Sequence, residues 1–176
     1  SDLNKQLEGV IEHVKERKNQ LIRPYVSNID GVIIVISPIP EPNFLLIDKM
    51  IIGAVAQGID AIICVNKPDL EGFTKLVERA KNDYSTLAKI LEIDALNGKG
   101  SEELKALVKG KFFALAGQSA VGKSTFINQM IGSEVMETGE LSAHGDKGKN
   151  TTRHVEIIKL EDGTKIADTC GFDKLI

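Results

Sequence analysis

The run Gly117-Gln-Ser-Ala-Val-Gly-Lys-Ser124 sets two glycines around four other residues and follows them with a lysine and a hydroxyl. That spacing is suited to gripping an anion. Gly117 and Gly122 let the backbone curl, so that N–H groups along Gln118, Ser119, Ala120 and Val121 turn inward at one oxygen-rich ligand. A helix that follows aims its positive end at the same point. Lys123 would reach the β- and γ-phosphates of a nucleotide. Ser124 would offer its hydroxyl to Mg²⁺, and Thr125 completes the first turn behind it. The run sits between an apolar segment, 111–116, and a helical pattern, 123–131. This context distinguishes a phosphate loop from a chance glycine-rich turn.

A second polar cluster, Val65-Asn-Lys-Pro-Asp69, closes another apolar run. Asp69 could accept two hydrogen bonds, from the N1–H and the exocyclic amine of guanine. Adenine lacks that donor pair and would leave the carboxylate unpaired. Asn66 could bond the base edge or tie neighbouring loops together. The alkyl stem of Lys67 could cover the base plane. Alone, N-K-x-D is also an ordinary polar turn; beside a phosphate loop it points to GTP and GDP.

Two further stretches fit the same ligand. Asp94-Ala-Leu-Asn-Gly-Lys-Gly100 resembles the loop that supports guanine in many GTPases, with the N–H of Ala95 addressed to the base oxygen. Asp94 stands where a serine is usual, and the alternative reading is a plain glycine-rich turn before the helix from Ser101. Asp168-Thr-Cys-Gly171 reads as D-x-x-G at a strand end. Asp168 would hold Mg²⁺ through water, and the N–H of Gly171 would sense the γ-phosphate. In Gly148-Lys-Asn-Thr-Thr152 a threonine hydroxyl should complete the Mg²⁺ shell, Thr152 before Thr151. The catalytic set is thus Lys123, Asn150, Thr152 and Gly171, and the metal set Ser124, Thr152 and Asp168. Lys147, Lys149 and Arg153 form a basic cluster that is either a solvated face or a contact for RNA phosphates.

These loops need a scaffold that presents them on one side. Continuous apolar runs at 31–37, 60–65, 89–94 and 111–116 read as strands covered on both faces. Helical patterns at 43–57, 72–83, 101–109 and 123–131 separate or follow them. That alternation predicts an α/β fold, a mostly parallel six-stranded sheet with helices on both faces. Segments 154–160 and 164–168 flank Glu161-Asp-Gly163 and predict a C-terminal β-hairpin. Ser37-Pro-Ile-Pro-Glu-Pro42 must be loop, because three prolines break helix and central strand alike. Residues 132–150 read as a mobile surface loop. Near the start, 3–18 fits a helix, but the loose alternation of Glu8 to Val14 favours a strand.

The composition narrows the class. The chain has 176 residues, one domain by length, and its formal net charge of -3 excludes a globally basic nucleic-acid binder. Cys64 and Cys170 have no metal spacing and suit reduced thiols. No apolar run reaches the roughly 20 residues that span a bilayer, and the polar start is not a signal peptide.

The N-K-x-D loop precedes the phosphate loop, the reverse of common GTPases. A sheet tolerates such a cut if the old ends join at the surface, here at Gly110, between the helix ending near Lys109 and the strand from Lys111. The order, with 17–24, 27–30, 65–70, 116–124, Thr151-Thr-Arg-His-Val-Glu156 and Asp168-Thr-Cys-Gly-Phe172, resembles the circularly permuted, ribosome-small-subunit-dependent GTPase A family (RsgA, also called YjeQ or YloQ). The resemblance covers most of 8–176. It implies a P-loop GTPase of the bacterial cytoplasm that binds the small (30S) ribosomal subunit and its 16S rRNA, acts late in subunit maturation, and is stimulated by it. It further implies a monomer with no membrane contact.

The family adds an N-terminal OB-fold and a C-terminal zinc domain. Residues 1–24 are therefore expected to be the end of an OB-fold and its linker, and 25–176 the GTPase domain, without the helix after the second switch and without zinc. The family places a histidine before the paired threonines to position water, where this chain has Asn150, which cannot carry a proton. Phe172 cannot orient water either. Ala120 and Cys170 replace the usual Gly and Pro, expected to be mild changes. The reading is a regulatory GTPase, slow alone. The alternatives are a nucleotide-gated binding module with little hydrolysis and, more remotely, a P-loop kinase, for which neither acceptor pocket nor lid is evident.

Overall fold

The computed structural model describes residues 13–22, 26–131 and 156–169. A short antiparallel pair, β1 (Gln20–Leu21) and β2 (Val26–Ser27), leads into the main sheet. Six strands follow: β3 (Gly31–Ile36), β4 (Asp60–Val65), β5 (Lys89–Glu92), β6 (Phe112–Gly117), β7 (Glu156–Lys159) and β8 (Lys165–Asp168). Their order across the sheet is β5-β4-β3-β6-β8-β7, parallel except for the β7–β8 pair.

Strand β3 lies at the centre, and all six of its residues are buried. A run of β-branched residues without alternation suits that position, since neither face meets water. Val32, Ile34 and Ile36 face the helices α1 (Phe44–Ala56) and α2 (Phe73–Tyr84), packing with Ile47, Met50, Ile51, Leu76 and Val77. Ile33 and Val35 share the opposite core with Leu104 and Val108 of α3 (Ser101–Val108) and with Phe126, Ile127 and Met130 of α4 (Lys123–Ile131). The two cores are the two faces of one pleat, which is why a continuous apolar run serves both.

The sequence-predicted helices and strands agree with these elements to within two residues at most ends. The third strand stops at Glu92 because the chain turns there into a loop closed by an Asp94–Lys99 bridge. Residues 13–19 carry neither helix nor strand, so neither the favoured strand of Glu8 to Val14 nor the helical option through Lys18 holds in that stretch; residues 1–12 lie outside the described residues. The β1–β2 pair was not predicted. Two-residue strands carry no readable periodicity, and their anchor is a single buried side chain: Asn19 exchanges two hydrogen bonds with the backbone of Ile29, at 2.7 and 3.0 Å.

Gly110 makes the junction between α3 and β6 with φ 68°, a left-handed conformation that favours glycine. The buried Thr164 fastens this turn: its Oγ1 accepts from the Gly110 N–H at 2.9 Å and donates to the Val108 carbonyl at 3.4 Å.

Candidate nucleotide-binding site

The carboxyl ends of β3, β4, β5, β6 and β8 all reach the same rim, because these strands are parallel. Loops at such a rim are where open α/β sheets bind ligands. β4 and β6 both pair with β3, so the loops that follow them stand two strand spacings apart, roughly 10 Å. Between them opens a cleft of about 360 Å³, lined by Asn66, Lys67, Asp69, Asp94, Ala95, Leu96, Ala120, Gly122, Lys123, Ser124 and Thr125. The two motifs that sequence reasoning assigned to base and phosphate therefore face one space.

Asn66 ties the loops of this cleft together. It is buried directly after β4; its Nδ2 donates to the Val121 carbonyl at 2.9 Å, and its Oδ1 accepts from the Ala95 N–H at 3.0 Å. Of the two roles considered for Asn66, this is the loop tie. It has a consequence for Ala95: the amide that sequence reasoning addressed to a base oxygen is engaged by Asn66. Lys67 makes contacts beyond the expectation for its stem. Its backbone has φ 66°, and its Nζ donates to the carbonyls of Ile39, at 2.8 Å, and Ala120, at 2.7 Å. The stem still lines the cleft while the ammonium fastens two loops. Asp69 is exposed, and among the described residues its carboxylate has no partner.

The phosphate loop begins as β6 ends. Gly122 packs against Asn66 so tightly that a Cβ there would lie 2.4 Å from Nδ2. This is why the second glycine is required even apart from any ligand. Lys123 Nζ bridges the carbonyls of Gly117 and Gln118 at 2.8 and 2.9 Å. Ser124 is exposed in the first turn of α4. Val121 and Gln118, both counted as nucleotide contacts, turn their side chains elsewhere. Val121 is buried in the core, and Gln118 Oε1 accepts from the Asn43 N–H at 2.9 Å. Gly117 and Ser119 belong to the loop without lining the cleft.

The Asp94 loop is pre-formed. The Asp94 carboxylate accepts from the N–H groups of Leu96 and Asn97, both at 3.1 Å, and from Asn97 Nδ2 at 2.7 Å. The Asn97 side chain, ahead of these backbone amides, holds its pKa below the usual aspartate value. Gln129 of α4 reaches back to the Leu96 carbonyl at 3.2 Å. Sequence reasoning did not find Asn43, Ile39 or Gln129, since they act through carbonyls and backbone amides that no motif records.

Asp168 ends β8, paired with Leu115 two residues before the phosphate loop starts, and its Oδ1 is shielded from solvent. It does not line the cleft. Beside it, Thr169 Oγ1 donates to the Leu115 carbonyl at 2.5 Å. Asn150, Thr151, Thr152, Cys170, Gly171 and Phe172, with the basic cluster Lys147, Lys149 and Arg153, lie outside the described residues.

A family model described as RsgA GTPase matches residues 14–175. The chain belongs to the RsgA GTPase family. Relatives named "Small ribosomal subunit biogenesis GTPase RsgA" include one from Ruminiclostridium cellulolyticum, 42% identical over 166 residues, covering 93% of this chain and 54% of the relative. Another, from Caldanaerobacter subterraneus subsp. tengcongensis, is 42% identical over 170 residues, covering 96% and 57%. Among solved structures, YjeQ from Thermotoga maritima superposes with a TM-score of 0.70 at 33% identity, covering 92% of this chain and 54% of that one. YloQ, described as a circularly permuted GTPase, gives 0.66 at 28% identity, covering 98% and 55%. The fold of this chain is thus that of a circularly permuted RsgA GTPase, and it spans little more than half the length of the relatives it matches.

Proposed function

We propose that this chain binds guanine nucleotides and hydrolyses GTP. The observation that carries the proposal is that Asp69 and Lys123 open onto one cleft. In this reading Asp69 accepts from the guanine edge, and the Lys67 stem lies against the base. The amides of the Gly117–Ser124 loop and the α4 N-terminus hold the phosphates. Water attacks the γ-phosphorus in line as the bond from that phosphorus to the β–γ bridging oxygen breaks. GDP leaves with the bridging oxygen, the water's proton ends on the released inorganic phosphate, and Lys123 exchanges its loop carbonyls for phosphate oxygens to neutralise the developing charge.

The hydroxyl of Ser124 and the carboxylate of Asp168 are hard oxygen donors suited to Mg²⁺. Among the described residues no cluster of three or more His, Cys, Asp or Glu could hold a metal unaided. When bound, Mg²⁺ would supply charge neutralisation at the β- and γ-oxygens. Thr152, Asn150 and Gly171 would act at the γ-phosphate, and Asn150 in place of a proton carrier makes turnover slow without a stimulating partner.

Titration with GDP and ADP tests this. GDP should bind and ADP should not; Asp69→Asn should lose that preference and gain xanthosine diphosphate. Equal binding of ADP and GDP by the wild-type chain would sink the proposal.

The relatives' name supports the small ribosomal subunit as the partner of the longer protein. We further propose, from the family resemblance, contact through 16S rRNA, action in the cytoplasm and a monomeric protein. Among the described residues no helix is long and apolar enough to cross a membrane. GTP-dependent co-sedimentation with 30S subunits would support the partner; co-sedimentation indifferent to nucleotide would count against it.

A further inference from the structure

The loop between β3 and α1 is joined to the phosphate loop at two points, directly at Gln118, away from the cleft, and indirectly at Ala120, through Lys67 of the cleft wall. Gln118 Oε1 accepts from the Asn43 N–H at 2.9 Å. One residue pair further on, Lys67 Nζ bridges the Ala120 and Ile39 carbonyls at 2.7 and 2.8 Å. Neither contact occupies the amides that would face a phosphate.

The loop is built to be stiff. Pro38, Pro40 and Pro42 fix three of its φ angles and lack N–H groups. Ser37, fully buried at the end of β3, donates its hydroxyl to the same Ile39 carbonyl at 2.8 Å. At the other end Asn43 caps α1, its Oδ1 accepting from the Leu46 N–H at 3.1 Å. The loop is therefore anchored to the central strand on one side and to a helix on the other. Its first N–H donor after Pro42 is given to Gln118.

We infer that the proline loop is a brace that holds the phosphate loop in its ligand-gripping shape, with Gln118 and Asn43 as positioning residues for nucleotide retention. The inference rests on the nucleotide-binding role proposed above. A curled loop of amides grips an anion only if its curvature survives when the anion is absent. Glycines supply the curvature but not the stiffness. The brace supplies stiffness by one direct hydrogen bond, from the Asn43 N–H to Gln118, and by one bridge through the Lys67 ammonium, to a segment with few conformations of its own.

The measurement is release of a fluorescent GDP analogue from the chain, read as a dissociation rate beside the thermal midpoint without nucleotide. Gln118→Met keeps length and removes the acceptor. Asn43→Pro removes the donor N–H, and the native φ of -80° suits proline. Asn43→Ala removes only the helix cap and is the reference for Asn43→Pro. Gln118→Met should release GDP roughly fivefold faster than wild type, and Asn43→Pro roughly fivefold faster than Asn43→Ala, the worth of one neutral hydrogen bond. Combining Gln118→Met with Asn43→Pro should add nothing further, because both remove the same bond. Asn43→Ala should lower the thermal midpoint through the lost cap, and Gln118→Met should lower it no further than Asn43→Ala does while releasing GDP faster than that variant.

If Gln118→Met releases GDP at the wild-type rate, or if the two effects multiply, the brace is overturned. Should Asn43→Pro fail to fold, Gln118→Met decides alone, supported by faster amide exchange at Asn43. A wild-type chain that retains GDP while Gln118→Met changes nothing sinks the brace and spares the nucleotide reading. A wild-type chain that binds no GDP sinks both.

Discussion

The side-chain amide of Asn66 donates to the carbonyl of Val121 across 2.9 Å, and so joins the loop after β4 to the loop after β6. The same side chain accepts from Ala95 at 3.0 Å. Three loops thus share one residue. Asn66→Ala would leave the Val121 carbonyl and the Ala95 N–H without a protein partner, a loss of about 2–4 kcal/mol of stability. Asn66→Asp should be no better, since a carboxylate cannot donate to Val121. Urea unfolding without nucleotide checks this. A midpoint equal to wild type for both variants would show that the tie contributes nothing to the fold.

Ala120 holds φ 63°, a region in which a Cβ is disfavoured. Relief of that strain should exceed the entropy that glycine adds to the unfolded chain. Ala120→Gly should therefore stabilise the protein by about 0.5–1 kcal/mol, with nucleotide binding retained. Denaturant titration reads the effect, and a destabilised variant would contradict the argument.

Thr164 serves the junction at Gly110 through its hydroxyl alone. Thr164→Val keeps the shape and drops that group, so it should cost about 1–2 kcal/mol, whereas Thr164→Ser should recover most of the loss. Equal stability of the valine and serine variants would assign Thr164 to packing instead.

Asp30 accepts from the Phe112 N–H at 2.8 Å and lies 3.3 Å from Lys18. The backbone N–H of Phe112, ahead of the two lysines Lys18 and Lys111, keeps its pKa below the usual aspartate value. A depressed carboxylate stabilises the fold above its unfolded pKa, and that increment is lost as pH falls through the folded value. Asp30→Asn keeps an acceptor but not the charge. The wild type should exceed the variant in stability at neutral pH, and the gap should close on acidification through and below the ordinary carboxylate range. A gap that widens in acid would reverse the sign and refute it.

The central strands β3, β4 and β6 were legible because they are almost wholly apolar, and the helices because their patterns fall between or after the strand runs. The cleft was legible because Gly117–Ser124 and Asn66–Asp69 each announce a ligand chemistry. What escaped is of another kind. Asn19, Gln118 and Lys67 act on backbone groups far away in sequence, and side-chain identity alone gives no hint of a partner 10 to 75 residues distant. Asn66 was read as having two possible roles; only packing against Gly122 and Val121 separates them.

Strand order also bears on how the chain is made. β3, β4 and β5 are consecutive in sequence and adjacent in the sheet, but β6 joins the far edge of β3 much later. While synthesis proceeds, the outer edge of β3 stays open and apolar until residues 112–117 emerge. An unpaired, fully apolar edge is a template for wrong pairing. Placing the half that carries Asn66–Asp69 first thus leaves the growing polypeptide with a period of vulnerability to aggregation, ended only when the half that carries Gly117–Ser124 arrives to close the seam.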